Sequence, residues 1–395
     1  MKTGKIFRGD KIIWVVFFLL SVISLVAVYS SIGLYAYSMP HARPTGLFLK
    51  HLAVVAATYV AIILISQINY RYFSRFAMLG YWASLVLLAV MLALHGRWFR
   101  LPVIGQFQPS EIAKVVLIIF IARQMAIKKN QKDEIGTFLV MLVYIAPVVL
   151  LVLPENFSTA ALIFLSAYMV MLYGGVNRRY WWTLMLVGAV VVTGFLFVSY
   201  YKYEKSLTNT NTEMAIERQA TWGHRVYSWI NPQPDELSQE NMAKMAIARG
   251  GFARLGIGTT VHARLMTQAH NDFIYAIIIE ETGMIGGLIV FLLYSIFFFR
   301  CVKLALKCKG SFGSLTVAGL GTMIYLQALV NMSVAVGLLP VTGQTLPFIS
   351  YGGTAYLFLG CSVGVIQAVA ADVENTATAT KAGPTDTEDK KDDTE

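Results

Sequence analysis

Long apolar runs alternate with short polar segments along most of the chain. Each run is long enough for a helix that crosses a bilayer, since about 20 residues span the hydrocarbon core. A membrane barrel would instead show segments of about ten residues with alternating hydrophobicity. We therefore predict an all-α membrane protein with ten transmembrane helices. Their approximate ranges are 12–37, 51–68, 77–94, 111–127, 137–153, 158–175, 180–200, 273–299, 312–338 and 354–371.

Two hydrophilic segments stand apart from the short loops. The first, roughly 201–272, precedes the eighth predicted helix and is the one large loop of the membrane domain, which we place at 1–371. The second, 372–395, is rich in Thr, Asp, Glu and Lys, and we predict a disordered tail because it has too little apolar surface to fold alone. The first apolar run is too long for a signal-peptide core, so we interpret it as a membrane helix.

The positions of the lysines and arginines predict the orientation. They concentrate at the N-terminus and in alternate loops, around 71–75, 123–132, 178–179 and 300–309, whereas the loops between these carry few. Because basic loops stay on the cytoplasmic side, both termini should be cytoplasmic and the loop 201–272 should be extracytoplasmic.

Composition agrees with a membrane protein and argues against other classes. The 395 residues are 56% hydrophobic and only 14% charged, whereas soluble domains carry about 25% charged residues. The net charge of +10 is scattered over short loops, so we predict no nucleic-acid partner, which would need one basic face. Cys301, Cys308 and Cys361 have no metal-ligand spacing and do not suggest a disulfide framework.

A carboxylate marks the boundary between the long loop and the eighth apolar run. Asp272 lies where the chain passes from water into lipid, and an ionisable group is expensive to keep there, so it is a functional-site candidate or an interfacial anchor. Glu280 and Glu281 lie roughly 12–13 Å deeper in the same helix. They either tune Asp272 or bind a cation, or they hydrogen-bond to a neighbouring helix, which we favour.

A second polar cluster lies at 107–114. Pro109 and Ser110 indicate a helix start, which places Glu111 in the first turn, where the helix dipole favours an anion. Glu111 and Lys114 are three residues apart and share a face. The pair either lines an outward-open cavity and meets an anionic ligand, or it is a structural ion pair between helices.

The end of the long loop combines glycines with basic residues. Glycines between 249 and 260 either let backbone N–H groups approach a phosphate or form a tight re-entrant turn. Arg249 and Arg264 are candidates to bind phosphate oxygens, with lipid headgroups as the alternative. His270 either orients or shares a proton with Asp272, or is a satisfied polar residue.

The segment 337–354 is dense in proline and glycine between two predicted spans. Irregular backbone at membrane depth is tolerated only where it is buried in protein or lines a cavity. We predict a re-entrant segment at a cavity, with an ordinary outer loop as the alternative. Ser350 is a substrate-binding candidate here, and the residues that shape the cavity are Pro340, Gly343, Pro347, Gly352 and Gly353.

These segments together resemble the SEDS family of bacterial cell-wall synthesis, which contains the FtsW and RodA proteins. The matching stretches are FQPSEIAK (107–114), ARGG followed by GIG (248–258), AHNDFIYAIIIEETGMIGG (269–287) and GLLPVTGQTLPFISYGGT (337–354). The family often has Pro-Glu where this chain has Thr267-Gln268, and Pro-Asp-Phe-Gly-Thr where it has Glu155-Asn156-Phe157-Ser158-Thr159. At Gln268 and Asn156, therefore, the resemblance does not carry over the roles of the family's residues.

The resemblance implies a peptidoglycan glycosyltransferase that polymerises lipid II into β-1,4 glycan strands. It implies that Asp272 is the catalytic base and that Glu111 and Lys114 belong to the polar cavity. It also implies a class b penicillin-binding protein and other divisome proteins as partners, and the bacterial inner membrane as location. The pyrophosphate of lipid II needs positive charge, which Lys114, the loop arginines or a divalent cation (Mg or Mn) could supply. We favour the FtsW-like division branch at the septum; a RodA-type elongation polymerase and a lipid II flippase are the alternatives.

Overall fold

The computed structural model describes residues 7–38, 44–94, 99–101, 105–128, 134–207, 220–231, 239–262, 266 and 271–381. Within these residues the regular secondary structure is helical apart from one short antiparallel hairpin, so the predicted all-α class is confirmed. The hairpin pairs β1 (Phe99–Leu101) with β2 (Gly105–Phe107) immediately before a helix, and the sequence analysis did not predict it.

Twelve helices are present in the described residues. Their bounds are α1 Lys11–Ser38, α2 Pro44–Gln67, α3 Arg71–Ala93, α4 Pro109–Lys128, α5 Glu134–Val152, α6 Phe157–Tyr173, α7 Arg178–Leu207, α8 Ala220–Ile230, α9 Gln239–Gly250, α10 Ile274–Lys307, α11 Ser311–Ala335 and α12 Gly353–Lys381.

A helix lies at each of the ten predicted spans. In the described part of the chain, eight helices are long and apolar enough to cross a membrane, by length and composition. The other two are α6, which has 17 residues, and α4, which carries charged residues in its first and last turns. The protein is therefore an integral membrane protein, and the count of ten crossings stays a prediction.

Helix α11 lies at the centre of the bundle and packs against α4, α6 and α10, while α12 packs along α2. Helix α11 can approach α4 and α6 closely because Gly319 lies where these helices meet. A Cβ at Gly319 would lie 2.5 Å from Val170 Cγ2 and 2.8 Å from Ile118 Cγ2. Small residues let membrane helices approach in this way. The polar side chains of α11 are thereby held inside the bundle.

The segment predicted as one large loop contains regular structure. Helix α7 continues to Leu207, and the two short helices α8 and α9 follow within the segment. Helix α9 packs directly on α10: a Cβ at Gly250 would lie 2.0 Å from the Ile279 carbonyl oxygen, so only glycine fits there.

Helix α10 breaks at Gly283, whose φ of 73° is strained for any residue with a side chain. The glycine-rich segment after α9 fills this break. Met284 donates its N–H to the Gly251 carbonyl at 3.0 Å, and a Cβ at Gly283 would lie 2.7 Å from the Phe252 carbonyl oxygen. The segment is thus a close-packed turn against α10, the second of the two alternatives for its glycines.

The last helix is longer than predicted. We placed the start of a disordered tail at residue 372, but α12 continues to Lys381. Residues 372–381 contain no glycine or proline to stop the helix, and the first helix breakers are Gly383 and Pro384. Residues 382–395 lie outside the described residues.

Candidate active site around Asp272

Asp272 lies two residues before α10, with Phe273 as the N-cap residue. Its backbone is fixed by α11: Asn331 donates from Nδ2 to the Asp272 carbonyl oxygen at 2.8 Å. The same amide nitrogen donates to the Gln344 carbonyl oxygen at 2.7 Å. One buried side chain of the central helix therefore joins the start of α10 to the irregular segment that follows α11.

The negative charge of the Asp272 carboxylate is poorly stabilised by its surroundings. No hydrogen-bond donor and no ion-pair partner reaches it from the part of the chain that the structure describes. Burial raises the pKa of Asp272 from its ordinary 3.8 to about 6, and the positive charge of Arg225 acts in the opposite direction. A carboxylate in this state is still ionised at neutral pH but is a stronger base than an ordinary aspartate.

The segment 337–352 has irregular backbone, and its second half, 344–350, is mostly buried in the protein, whereas 337–343 is partly or fully exposed. That it re-enters the membrane stays a prediction. Ser350 is 3% exposed. Its hydroxyl donates to the Asn271 carbonyl oxygen at 2.5 Å and accepts from the Leu346 N–H at 2.8 Å. Ser350 therefore positions the residue next to Asp272 in this conformation.

A strained residue marks the middle of this segment. Phe348 has a φ of 61°, which is unusual for a bulky residue and persists only where the surroundings enforce it. Its ring packs on Phe17 and Tyr356, with ring centroids 5.1 Å and 6.0 Å away. Next to it, Ser24 Oγ donates to the Ile349 carbonyl oxygen at 2.8 Å. Aromatic packing from α1 and α12 thus holds the backbone in place.

The predicted cavity-shaping residues all lie along this segment. Gly343 is the closest to the carboxylate: a Cβ at this position would lie 3.8 Å from Asp272 Oδ2, and its φ of 68° favours glycine. The Pro347 carbonyl oxygen accepts a hydrogen bond from Tyr294. Pro340 is partly exposed, the Gly352 carbonyl oxygen accepts the Tyr356 N–H, and Gly353 is the first residue of α12.

Glu111 and Lys114 form the predicted ion pair, with 3.0 Å between Nζ and Oε2. Lys114 is fully buried and also donates to Gln327 Oε1 at 2.7 Å. The Gln327 amide nitrogen then donates to the Thr345 carbonyl oxygen at 3.1 Å. In this conformation the pair supports the segment 337–352 from inside the bundle.

Glu280 binds the glycine-rich segment. Its Oε1 accepts from Arg249 Nη1 at 2.9 Å and from the Val261 N–H at 3.0 Å, and it lies 3.0 Å from His262 Nδ1. The Arg249 guanidinium is thus engaged with a buried carboxylate. Our preference for a hydrogen-bonding role of Glu280 is confirmed, although its contacts are with the loop and with α9 instead of a membrane helix.

Glu281 has a parallel role. Its Oε1 accepts from the Gly258 N–H at 2.9 Å and from the Ser30 hydroxyl of α1. The two adjacent carboxylates therefore hold the glycine-rich segment on α10, roughly 12–13 Å along the helix from Asp272. Their direct influence on Asp272, and cation binding by them, stay predictions.

Two of the predicted site residues cannot be placed. Arg264 and His270 lie outside the described residues, as does Gln268. Asn156 is described: it caps α6, with its Oδ1 accepting the Thr159 N–H at 3.1 Å. An asparagine serves this role as well as an aspartate does. Thr159 Oγ1 in turn accepts from the Gln344 amide nitrogen at 2.7 Å, so this position also supports the segment 337–352.

The sequence analysis missed the contribution of α8. Arg225 donates from Nη1 to the Val341 carbonyl oxygen at 3.2 Å, and its charge reaches Asp272. Trp229, one turn further, donates from Nε1 to the Gly337 carbonyl oxygen at 3.0 Å. One pattern in the sequence could have indicated this helix. The spacing of Trp222, Arg225 and Trp229 puts them on one helix face within an otherwise hydrophilic stretch.

Helix α9 covers the same segment from the other side. Burial raises the pKa of Glu240, while an N–H of Val341 and the nearby Lys244 lower it. A Cβ at Gly337 would lie 2.7 Å from Lys244 Cε. The two short helices of the long loop thus close over the segment 337–343 beside Asp272.

The arrangement combines a strong carboxylate base with a nearby arginine charge, at the end of a membrane helix. It is suited to taking a proton from a hydroxyl group next to an anionic ligand. Among the described residues no group of three or more His, Cys, Asp or Glu side chains is arranged to hold a metal ion.

Comparison with known proteins gives a consistent result over nearly the whole chain. A family model, FTSW_RODA_SPOVE, described as cell cycle protein, matches residues 10–375. The peptidoglycan glycosyltransferase MrdB of Escherichia coli K12 is 26% identical over 362 residues, covering 89% of this chain and 92% of MrdB. The probable peptidoglycan glycosyltransferase FtsW of Bacillus subtilis is 29% identical over 374 residues, covering 91% of this chain and 90% of that protein.

Solved structures share the fold. The crystal structure of the rod shape determining protein RodA of Thermus thermophilus matches with a TM-score of 0.65 at 21% identity, covering 92% of this chain and 97% of that one. A second match is a chain from a structure of a peptidoglycan synthase complex that coordinates polymerization and crosslinking. The TM-score is 0.71 at 23% identity, and the match covers 92% of this chain and 98% of that one.

Proposed function

The chain belongs to the FtsW, RodA and SpoVE family, and from that premise we propose that it is a peptidoglycan glycosyltransferase that polymerises lipid II, with Asp272 as general base. The observation that carries the proposal is the Asp272 carboxylate, which is desolvated, has no hydrogen-bond donor among the described residues, and has a pKa of about 6. A structural anchor would accept hydrogen bonds from its neighbours, as Glu280 and Glu281 each do through Oε1.

The proposed reaction is a single displacement. Asp272 accepts the proton of the 4-hydroxyl of an acceptor N-acetylglucosamine while that oxygen bonds to the anomeric carbon of the donor sugar. The bond from the anomeric carbon to the lipid pyrophosphate breaks, and the pyrophosphate leaves with the electron pair. One displacement inverts the anomeric centre, so an α-linked donor gives a β-1,4 linkage.

Base strength matters more here than acid catalysis. A pyrophosphate is already a good leaving group, whereas a sugar hydroxyl is a weak nucleophile. A positioned base contributes typically about 10²–10⁴ in rate. The desolvation that raises the pKa of Asp272 to about 6 increases its basicity, and the positive charge of Arg225 acts in the opposite direction. The carboxylate is therefore mostly ionised, and so competent as a base, at pH 7.

The segment 337–352 positions this base. Asn331, Gln344 and Ser350 fix the backbone around residues 271 and 272. We propose that Arg225 faces the donor pyrophosphate and partly neutralises it, since its charge already reaches Asp272. The substrate-binding roles of Glu111, Lys114 and Arg249 stay predictions; in the described conformation each would have to exchange its present partner to contact substrate.

A divalent cation also stays a proposal. The described residues offer no cluster that would hold one by protein ligands alone. Mg²⁺ is usually bound through one or two carboxylates together with substrate phosphates and water. A cation would therefore depend on the donor pyrophosphate for its ligands, with Asp272 as the protein carboxylate nearest to the reaction.

We propose a class b penicillin-binding protein as partner. The support is the structural match to a chain of a complex that couples polymerization to crosslinking. Co-purification of the two proteins from cells, with the loop helices α8 and α9 deleted in one arm, tests whether the long loop contributes to the interface.

Relatives of both branches match, so we propose the division branch only on the balance of the sequence motifs. In this proposal the protein works at the septum of the inner membrane with both termini in the cytoplasm. Depletion in cells decides the branch: filamentous cells indicate division, and rounded cells indicate elongation.

The test of the activity is polymerisation in detergent micelles. A micelle has no second leaflet, so a flippase would give no product there, whereas a polymerase converts lipid II into glycan strands that a gel resolves. The protein is assayed alone and with a co-expressed class b penicillin-binding protein. We expect strands from wild type and from the control variant Glu374→Gln, which changes an exposed carboxylate at the far end of α12, and none from Asp272→Ala.

Two results would contradict the proposal. Absence of strands in both conditions would argue against a polymerase. Strands from Asp272→Ala at the wild-type rate would retain the polymerase and remove Asp272 as its base.

A further inference from the structure

A cavity with basic residues in its lining lies at the end of the bundle opposite Asp272. It has a volume of about 650 Å³ and is bounded by the start of α3, the end of α10 and the last turns of α12. Helix α10 starts near Asp272 and, after its break at Gly283, continues unbroken to Lys307, a stretch that alone is roughly 35 Å long at about 1.5 Å per residue. The cavity is therefore separate from the proposed active site.

The charge of this cavity is positive. Arg71, Lys307 and Lys309 line it, with Asp372 as the acidic lining residue. Among the described residues none of these three basic side chains forms an ion pair with a carboxylate. Three cations and one carboxylate around one volume leave a net charge that an anion would neutralise.

The backbone adds to this preference. Helix α3 begins at Arg71, and α11 begins at Ser311, directly after Gly310, which also lines the cavity. The N-terminal end of a helix carries a partial positive charge and favours anions. The C-terminal end of α10 has the opposite polarity, and Lys307 and Lys309 lie there to offset it.

The volume and the walls of the cavity are suited to a small-molecule ligand. Small-molecule sites typically have volumes of about 300–1,000 Å³. One wall is Tyr70, which is 6% exposed and stacks on Phe312 with ring centroids 6.1 Å apart. In the orientation that the loop charges predict, this end faces the cytoplasm, where phosphate groups of anionic lipids lie at the membrane surface.

We propose that this cavity is a binding site for a phosphate-bearing anion, held by Arg71, Lys307 and Lys309. The ligand chemistry is a phosphodiester or pyrophosphate group, supplied either by the headgroup of an anionic lipid or by a soluble phosphate compound. The site is independent of the polymerase proposal and can be tested without any activity assay.

The test measures binding to the full-length protein in uncharged detergent. The lipid probe is phosphatidylglycerol, with zwitterionic phosphatidylcholine as reference, and native mass spectrometry counts the bound lipids. The soluble probe is inorganic pyrophosphate, added as a competitor. We expect phosphatidylglycerol to bind about tenfold or more tightly than phosphatidylcholine, as expected for several basic residues near one phosphate.

The cavity variant is Arg71→Gln/Lys307→Gln/Lys309→Gln. It should lose most of the preference for phosphatidylglycerol, by about tenfold. A second variant, Asp372→Asn, removes the acidic residue and should tighten binding by about twofold or more. Because the two variants change affinity in opposite directions, a general loss of folding cannot imitate both.

The matched control is Arg178→Gln/Arg179→Gln/Lys303→Gln. It removes the same charge from exposed positions on the same end of the bundle, outside the cavity. We expect its lipid preference to stay within about twofold of wild type, because these residues, although as exposed as Arg71, Lys307 and Lys309, do not line one common volume.

The competitor identifies the source of the phosphate. Release of phosphatidylglycerol by pyrophosphate supports a soluble ligand, and retention of the lipid supports a lipid headgroup. The proposal is overturned if the cavity and control variants weaken binding equally, which indicates surface charge alone, or if the wild-type protein prefers neither phosphatidylglycerol nor pyrophosphate.

Discussion

Replacing Asp272 by asparagine should stabilise the protein while it slows catalysis by about 10²–10⁴. Raising the pKa of this carboxyl from 3.8 to about 6 disfavours its ionised form by about 3 kcal/mol, at about 1.4 kcal/mol for each pH unit. Because the side chain is partly exposed, solvent screening reduces the expected effect to about 1–2 kcal/mol. Asparagine has nearly the same shape and no charge, so the variant avoids this penalty.

The pH dependence gives the sign of the effect. The folded protein holds the Asp272 proton more tightly than the unfolded chain does, because the folded pKa lies above the unfolded one. The stability that wild type gains from the protonated carboxyl is fully present below pH about 4 and is lost as the pH rises through about 6. Asp272→Asn should therefore equal wild type near pH 4 and exceed it above pH 6.

Thermal unfolding in detergent, followed by tryptophan fluorescence between pH 4 and pH 8, measures this difference. We expect a rise in Tm of a few degrees at pH 7.5, which is the order of magnitude for 1–2 kcal/mol. Glu374→Gln serves as control, since its carboxylate is exposed, and should change Tm little at any pH. A lower Tm for Asp272→Asn above pH 6 would show that the carboxylate is a stabilising anchor and would refute the reasoning.

Three further variants probe the residues around the base. Arg225→Gln removes the charge that lowers the pKa of Asp272, so the acidic limb of the pH–rate profile should move to higher pH; an unmoved limb would show that the charge does not act on the base. Lys114→Met leaves Glu111 buried without its partner and should lower the free energy of unfolding by about 3–5 kcal/mol. The double variant Lys114→Met/Glu111→Gln should recover most of this loss. Denaturant titration measures both variants, and equal losses would contradict this account. Asn331→Leu leaves two carbonyl acceptors without their donor, at about 1–3 kcal/mol for each, and should lower kcat more than it changes KM; an unchanged kcat would count against a positioning role.

Some of the architecture could be predicted because it depends on local pattern and on the cost of polar groups in lipid. The apolar runs predicted the helices, and Pro109 with Ser110 predicted the start of α4 at Pro109. Glu280 was expected to need hydrogen bonds because two adjacent carboxylates inside a span must be satisfied. The identity of its partners, in the glycine-rich segment, depended on the break at Gly283, which a helical pattern does not reveal.

Other features depend on contacts between distant parts of the chain. Arg225 lies about 50 positions before Asp272 in a hydrophilic stretch, and only the packing of α8 on the segment 337–343 gives it a role. Asn331 looked like one polar residue in an apolar run, yet it fixes the backbone of the candidate base. Likewise, the basic cavity forms only where the ends of α3, α10 and α12 meet.

The central claim is that Asp272 is the base of a glycosyl transfer, and the rate of lipid II polymerisation as a function of pH tests it most directly. We predict that the wild-type rate falls about tenfold for each pH unit below pH about 6, where Asp272 becomes protonated. The Asp272→Asn variant should be slower by about 10²–10⁴ and should lack this acidic limb. A variant that keeps the wild-type rate and the same acidic limb would contradict the claim.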